Sequence, residues 1–67
     1  MVALMKSMYD VQQKLKQFGI FVYTGKRLND LQLMELELDE LYKYSLITQE
    51  DFLLAKMVIQ KEIRTMK

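Results

Sequence analysis

The chain has 67 residues, half of them apolar, with net charge +1, two glycines and no proline, cysteine, histidine or tryptophan. That length admits one small domain, residues 1–67, burying only about 60% of its unfolded surface with no disulfide or thiolate-metal staple. Dense helix packing, self-association or both are therefore expected to hold it together. Without His or Cys the commonest metal ligands and the Ser–His and Cys–His nucleophile pairs are missing, which sets most enzyme classes aside.

The small net charge hides a division. Residues 1–28 carry five basic side chains against Asp10, residues 29–54 seven acidic ones against Lys43, and residues 55–67 four basic ones against Glu62. Such a basic–acidic–basic order fits an acidic middle helix packed beside two basic ones, or basic ends that converge on a polyanion. The apolar run at residues 20–23 falls far short of the ~20 residues of a membrane span. Residues 1–5 are too few for a signal-peptide core. A soluble, cytoplasmic protein with no membrane partner is the expectation.

In chain order, Leu4, Met8, Val11, Leu15 and Phe18 recur at steps of four and three, the spacing of an amphipathic helix. Ser7 with Asp10 three residues on is a capping pair, although a stripe reaching back to Leu4 argues for an earlier start. Gly19 follows the last stripe residue, where a left-handed turn ends a helix. Ile20, Phe21, Val22 and Tyr23 then read as extended chain, followed by a turn through Thr24, Gly25, Lys26 and Arg27. That segment is either a connector packed on the bundle or an edge that pairs with a second protomer.

Asn29, with Gln32 three residues later and Leu28 and Leu33 placed as a hydrophobic staple, predicts the start of a second helix. Leu31, Met34, Leu38, Leu41 and Tyr42 share its inward face. Leu33, Leu36 and Tyr44 lie off that face, so more of the circumference is apolar than a simple surface helix needs, and a further contact surface is implied. Thr48 with Asp51 predicts the next cap, Ile47 and Phe52 its staple, and Phe52, Ala55, Ile59, Ile63 and Met66 the inward stripe of a third helix. The fold class is therefore all-α, a three-helix bundle with a short extended connector between the first two helices.

Little in this sequence sponsors catalysis. Glu35, Glu37, Asp39 and Glu40 crowd one helix, yet nothing supplies the His at three-residue spacing that a two-metal bundle site wants, so a solvated acidic face is the plainer reading. The two serines, Ser7 and Ser45, sit in no nucleophile elbow, and two separated glycines make no phosphate cradle. No enzyme, cofactor or metal is expected.

The more informative surface lies opposite the stripe of the first helix. Met5, Tyr9, Gln12 and Lys16 follow at four, three and four residues and fall within a narrow arc, flanked by Gln13. An aromatic ring, amides and a lysine are the groups that stack on an unpaired base, hydrogen-bond its edge and neutralise its phosphate. Tyr23, Lys26 and Arg27 extend that surface. Half-buried packing residues on an ordinary solvated helix face would look similar. Lys56, Gln60, Arg64 and Lys67 line one flank of the third helix, by default a polar flank and otherwise an auxiliary phosphate track.

The run Tyr9, Asp10, Val11, Gln12, Gln13, then Leu15, Lys16 and Gly19, the turn from Tyr23 to Arg27, and Met34 to Leu38 ending in Leu41 and Tyr42 resemble the YqgQ-like family over nearly the whole chain. The resemblance implies a small three-helix cytoplasmic protein of the Bacillus and Staphylococcus kind, without an established activity, for which single-stranded nucleic-acid binding has been suggested. By position it carries over Tyr9, Gln12, Gln13, Lys16, Tyr23, Gly25 and Arg27. Lys26 departs from the pattern, standing where some members carry an acidic residue. Residues 41–58 also look like the helical hairpin of the bacterial short C-terminal domain, whose turn has a glycine where this chain has Ser45.

The resulting expectation is a non-catalytic protein that binds single-stranded RNA or DNA through Tyr9, Gln12, Gln13, Lys16, Tyr23 and Arg27, and that forms a homo-oligomer. The rival is a protein–protein interaction module or small regulatory subunit that docks a partner on Leu33, Leu36 and Tyr44.

Overall fold

The computed structural model describes residues 5–66; Leu4 and Lys67 of the sequence patterns, and residues 1–3, lie outside the described residues. Within them the chain forms three helices and no strand: α1 (Met8–Lys16), α2 (Arg27–Lys43) and α3 (Gln49–Thr65). All three pairs pack together, α2 against α3 most extensively. The protein is an all-α three-helix bundle.

Ser7 is the N-cap of α1, in extended conformation, and its hydroxyl accepts from the Asp10 N–H. The Asp10 carboxylate returns to accept from the Lys6 N–H at 3.0 Å, one residue before the cap, so one orphan donor of the helix is satisfied and the incoming chain is tied to its first turn. Because the helix begins only at Met8, Met5 is not on its periodicity. Met5 is buried in the core rather than placed on the outer arc beside Tyr9. At the other end Gly19 adopts φ +75°, its N–H reaching the Lys16 carbonyl while the Ile20 N–H reaches that of Leu15. These two bonds are a Schellman closure, which a glycine at the left-handed position permits. It carries Phe18 out of the stripe that the sequence assigns it to, leaving the ring partly exposed.

Residues 20–23 lie against the bundle. Ile20 and Val22 pack on the core while Phe21 and Tyr23 point outward, the two-residue alternation of extended chain.

The start of α2 differs from the sequence expectation. The helix begins at Arg27, with Lys26 as N-cap and no side-chain bond from it; Asn29 is already inside the first turn, and Leu28 and Leu33 are both exposed rather than forming a staple. The reason is Asp30. Its Oδ1 accepts from the Thr24 N–H at 2.6 Å and from the Thr24 hydroxyl at 2.7 Å, and the same hydroxyl accepts from the Lys26 N–H at 3.3 Å. Tied to Thr24, the chain enters the helix three residues earlier than an Asn29 cap would allow, with a carboxylate in the first turn where the helix dipole favours it.

From there Leu31, Met34, Leu38 and Leu41 are buried as their spacing predicts, and Tyr42 stacks on Phe52 of α3 with ring centroids 4.4 Å apart. The turn into α3 closes with the Leu46 N–H on the Leu41 carbonyl and the Ser45 N–H on that of Tyr42, which puts Ser45 at φ +60°. Thr48 caps α3 through its hydroxyl, accepting from the Asp51 N–H at 3.1 Å, while Ile47 is buried and Phe52 packs on the core. Ala55 and Ile59 are fully buried, flanked by Ile63 and Met66. Large side chains such as Leu38 and Ile59 each contribute about 1.5–3 kcal/mol of burial free energy.

The charge division is offset in part inside the bundle. Lys56 of α3 lies 3.2 Å from Asp39 and 3.8 Å from Glu35 of α2, Gln60 donates to Glu35, Lys14 of α1 pairs with Asp51, and Arg27 pairs with Glu62. Among the described residues Lys56 alone ties the acidic carboxylates of α2 to a basic neighbour; the Lys14 pair joins α1 to α3, and the Arg27 pair sets a cation of α2 on a carboxylate of α3.

Candidate nucleic-acid interface

α1, the connector and the inner edge of α2 enclose a groove of about 260 Å³ whose walls include Gln12, Lys16, Phe21 and Tyr23 and whose floor is Leu15, Ile20, Val22 and Met34. The floor follows from the alternation in the connector: with Ile20 and Val22 turned inward, Phe21 and Tyr23 must stand out as rims, 73% and 88% exposed. Gln12 and Lys16 are one turn apart on α1, so they present an amide and an ammonium along the opposite wall. Lys16 forms no ion pair among the described residues, which leaves its charge directed at solvent.

Of the six residues singled out from the sequence, three come together here: Gln12, Lys16 and Tyr23. Tyr9 stands one turn before Gln12 on the same side of α1, 66% exposed, beyond the end of the groove. Gln13 lies round the helix, in a separate hollow with Asp10, Lys14 and Asp51. Arg27 reaches Glu62 of α3, its Nη2 3.2 Å from the carboxylate, and forms no wall of the groove.

Sequence reasoning missed Phe21 as a surface aromatic. The signal was present, since Phe21 and Tyr23 are two apart in an extended segment between apolar residues, which places both rings on one side. It also missed Asp30, whose buried carboxylate fixes the Tyr23–Arg27 turn by its bonds to Thr24. The cue there was a Thr before a glycine turn with an Asp six residues on.

The carboxylates of α2 do not assemble as a metal centre: among the described residues no group of three acidic side chains converges, Glu35 and Asp39 being taken by Lys56 and Gln60. No described helix is long and apolar enough to cross a membrane.

Fold and surface together define a short all-α three-helix protein with one aromatic-rimmed groove beside an unpaired lysine. Residues 5–65 match the model of the YqgQ-like family. A protein of Bacillus subtilis (strain 168) named "Uncharacterized protein YqgQ" is 43% identical over 63 residues, covering 94% of this chain and 89% of that relative. No solved structure is significantly similar to it. The chain belongs to the YqgQ-like family.

Proposed function

We propose that this protein binds single-stranded nucleic acid, without catalysis, along the groove between α1 and the connector. The observation that carries the reading is the pair of outward rings, Phe21 and Tyr23, set across an apolar-floored groove from Gln12 and Lys16. Unpaired bases stack on exposed aromatic faces irrespective of sequence, at about 1–3 kcal/mol per base. In this reading Tyr23 and Phe21 hold bases at the rim, Tyr9 extends the stacking surface along α1, the Gln12 amide bonds a base edge or sugar, and Lys16 neutralises a phosphate. Arg27 is a second phosphate contact: its exposed pair with Glu62 is worth at most about 1 kcal/mol and exchanges readily for a phosphate. Gln13, turned to the other hollow, is outside the contact surface.

A duplex does not suit this site, since the groove is short and no helix concentrates the cationic side chains that track two phosphate backbones. The test is a titration of fluorescently labelled single-stranded RNA and DNA of mixed sequence, followed by anisotropy at low and near-physiological salt. Micromolar binding that weakens linearly on a log–log salt plot supports the reading, and absence of binding at low salt removes it.

A further inference from the structure

A second surface has no part in that groove. On α3 the residues Leu53, Lys56, Met57, Gln60, Lys61 and Arg64 line a shallow groove of about 480 Å³. Leu53, Gln60 and Arg64 lie on the side of α3 turned away from Asp51, while Lys61, at the groove's edge, also borders the hollow that Lys6, Ser7 and Met8 form with α3. Its apolar part is open to solvent, Met57 being 66% exposed and Leu53 close to half. The adjacent outer face of α2 is also apolar, with Leu33, Leu36 and Tyr44 exposed, Leu36 by 60%.

The unpaired charges flanking these two faces are mostly opposite in sign, with Lys43 beside Tyr44 the one unpaired cation on the outer face of α2 among the described residues. Lys56 is already committed to Asp39 and Glu35 within the chain, but Lys61 and Arg64 of α3, and Glu37 and Glu40 of α2, form no ion pair among the described residues. The outside of α3 is thus an apolar strip edged with the cations Lys61 and Arg64, and the outside of α2 an apolar strip edged with the carboxylates Glu37 and Glu40, with Lys43 at its C-terminal end.

We propose that this α2–α3 surface is an interface between two copies of the chain, with the acidic outer face of α2 in one copy seated on the basic-edged groove of α3 in the other. The helices are 17 residues each and joined by a tight turn, so they run antiparallel side by side. A twofold axis parallel to them sets α2 of each copy against α3 of its partner, making the same contact twice. The occupant is a second copy because the surface beside the groove carries the two properties the groove calls for, exposed leucines and unpaired carboxylates. A stable interface buries roughly 800 Å² per partner, about one sixth of the 4961 Å² that the chain exposes, and this surface carries the exposed Leu33, Leu36, Tyr44, Leu53 and Met57.

The test uses the full chain in sedimentation velocity over ~1–200 μM, with two double variants whose folding is checked by circular dichroism. One carries Glu37→Lys with Glu40→Lys, the other Lys61→Glu with Arg64→Glu. All four positions lie outside the core and its ion pairs, so both variants fold. The expected result is a dimer for the native chain, at least tenfold weaker association of each variant alone, and recovery of the dimer when the two variants are mixed, because each then meets the opposite charge on both contacts. A native chain that stays monomeric to ~200 μM overturns the proposal, as does a dimer that both variants form unchanged or that mixing fails to restore. Met57→Ala separates the apolar contribution: its dimer is weakened while oligonucleotide binding is retained.

Discussion

One carboxylate oxygen of Asp30 receives both the backbone N–H and the hydroxyl of Thr24, at 2.6 and 2.7 Å, and in doing so fastens the turn that carries Tyr23 to the first turn of α2. Asp30 is the one polar side chain buried among the described residues, and a buried carboxylate persists only where such bonds satisfy it. Asp30→Ala should therefore cost about 1–3 kcal/mol in urea denaturation, the range for a buried bond partner left unsatisfied. Asp30→Asn keeps an oxygen that accepts both bonds and should cost clearly less. Equal stability of Asp30→Ala and the native chain would contradict this role.

Much of the fold is legible from residue spacing. Val11 and Leu15, the α2 row from Leu31 to Leu41, the Thr48 cap and the Ala55–Ile59 stripe all lie where periods of three and four put them, because tertiary burial and helix periodicity select the same positions. Asn29 and Phe18 are misread for a shared reason. Both sit at helix ends, where a bond from a residue several positions away decides the boundary: Asp30 to Thr24 in one case, the Schellman closure at Gly19 in the other. Met5 is misread because periodicity is extrapolated past a cap. At the groove, Gln12 and Lys16 follow from helical spacing, whereas the engagement of Arg27 with Glu62, 35 residues away, has no local signature.

Ser45 occupies a left-handed conformation, φ +60°, where a Cβ is disfavoured. Ser45→Gly should stabilise the protein by about 0.5–1 kcal/mol, which for a domain of this size raises Tm by about 4–8 °C per kcal/mol. Ser45→Val, β-branched at the same backbone angle, should lower Tm. Calorimetry of the two variants checks the sign, and a Tm for Ser45→Gly at or below that of the native chain would tell against strain at the turn.

Burial separates two leucines two residues apart. Leu38 is fully buried between α2 and α3, and Leu38→Ala should cost about 2–5 kcal/mol, much of the stability of so small a domain. Leu36→Ala should leave the stability of the monomer within about 0.5 kcal/mol. Thermal denaturation at low protein concentration checks both, and comparable losses would mean that the helix is rotated from its described orientation.

Arg27 pairs with Glu62 and, in the proposed function, also meets a phosphate; two readouts of one substitution separate these. Its ion pair with Glu62 is exposed, so Arg27→Ala should shift stability by less than about 1 kcal/mol. The same change should weaken oligonucleotide binding and lower the salt slope by about one. An unchanged slope would show that Arg27 is not a phosphate contact.

The most direct test of the nucleic-acid reading is the affinity of a Phe21→Ala, Tyr23→Ala double variant for labelled single-stranded RNA and DNA, measured beside the native chain at low salt. Both rings are exposed and leave the core and the Thr24–Asp30 bonds untouched, so the variant stays folded. With stacking worth about 1–3 kcal/mol per base, the account predicts micromolar binding by the native chain and a loss of at least tenfold in the variant. Equal affinity of the two proteins, or no binding by either, would contradict it.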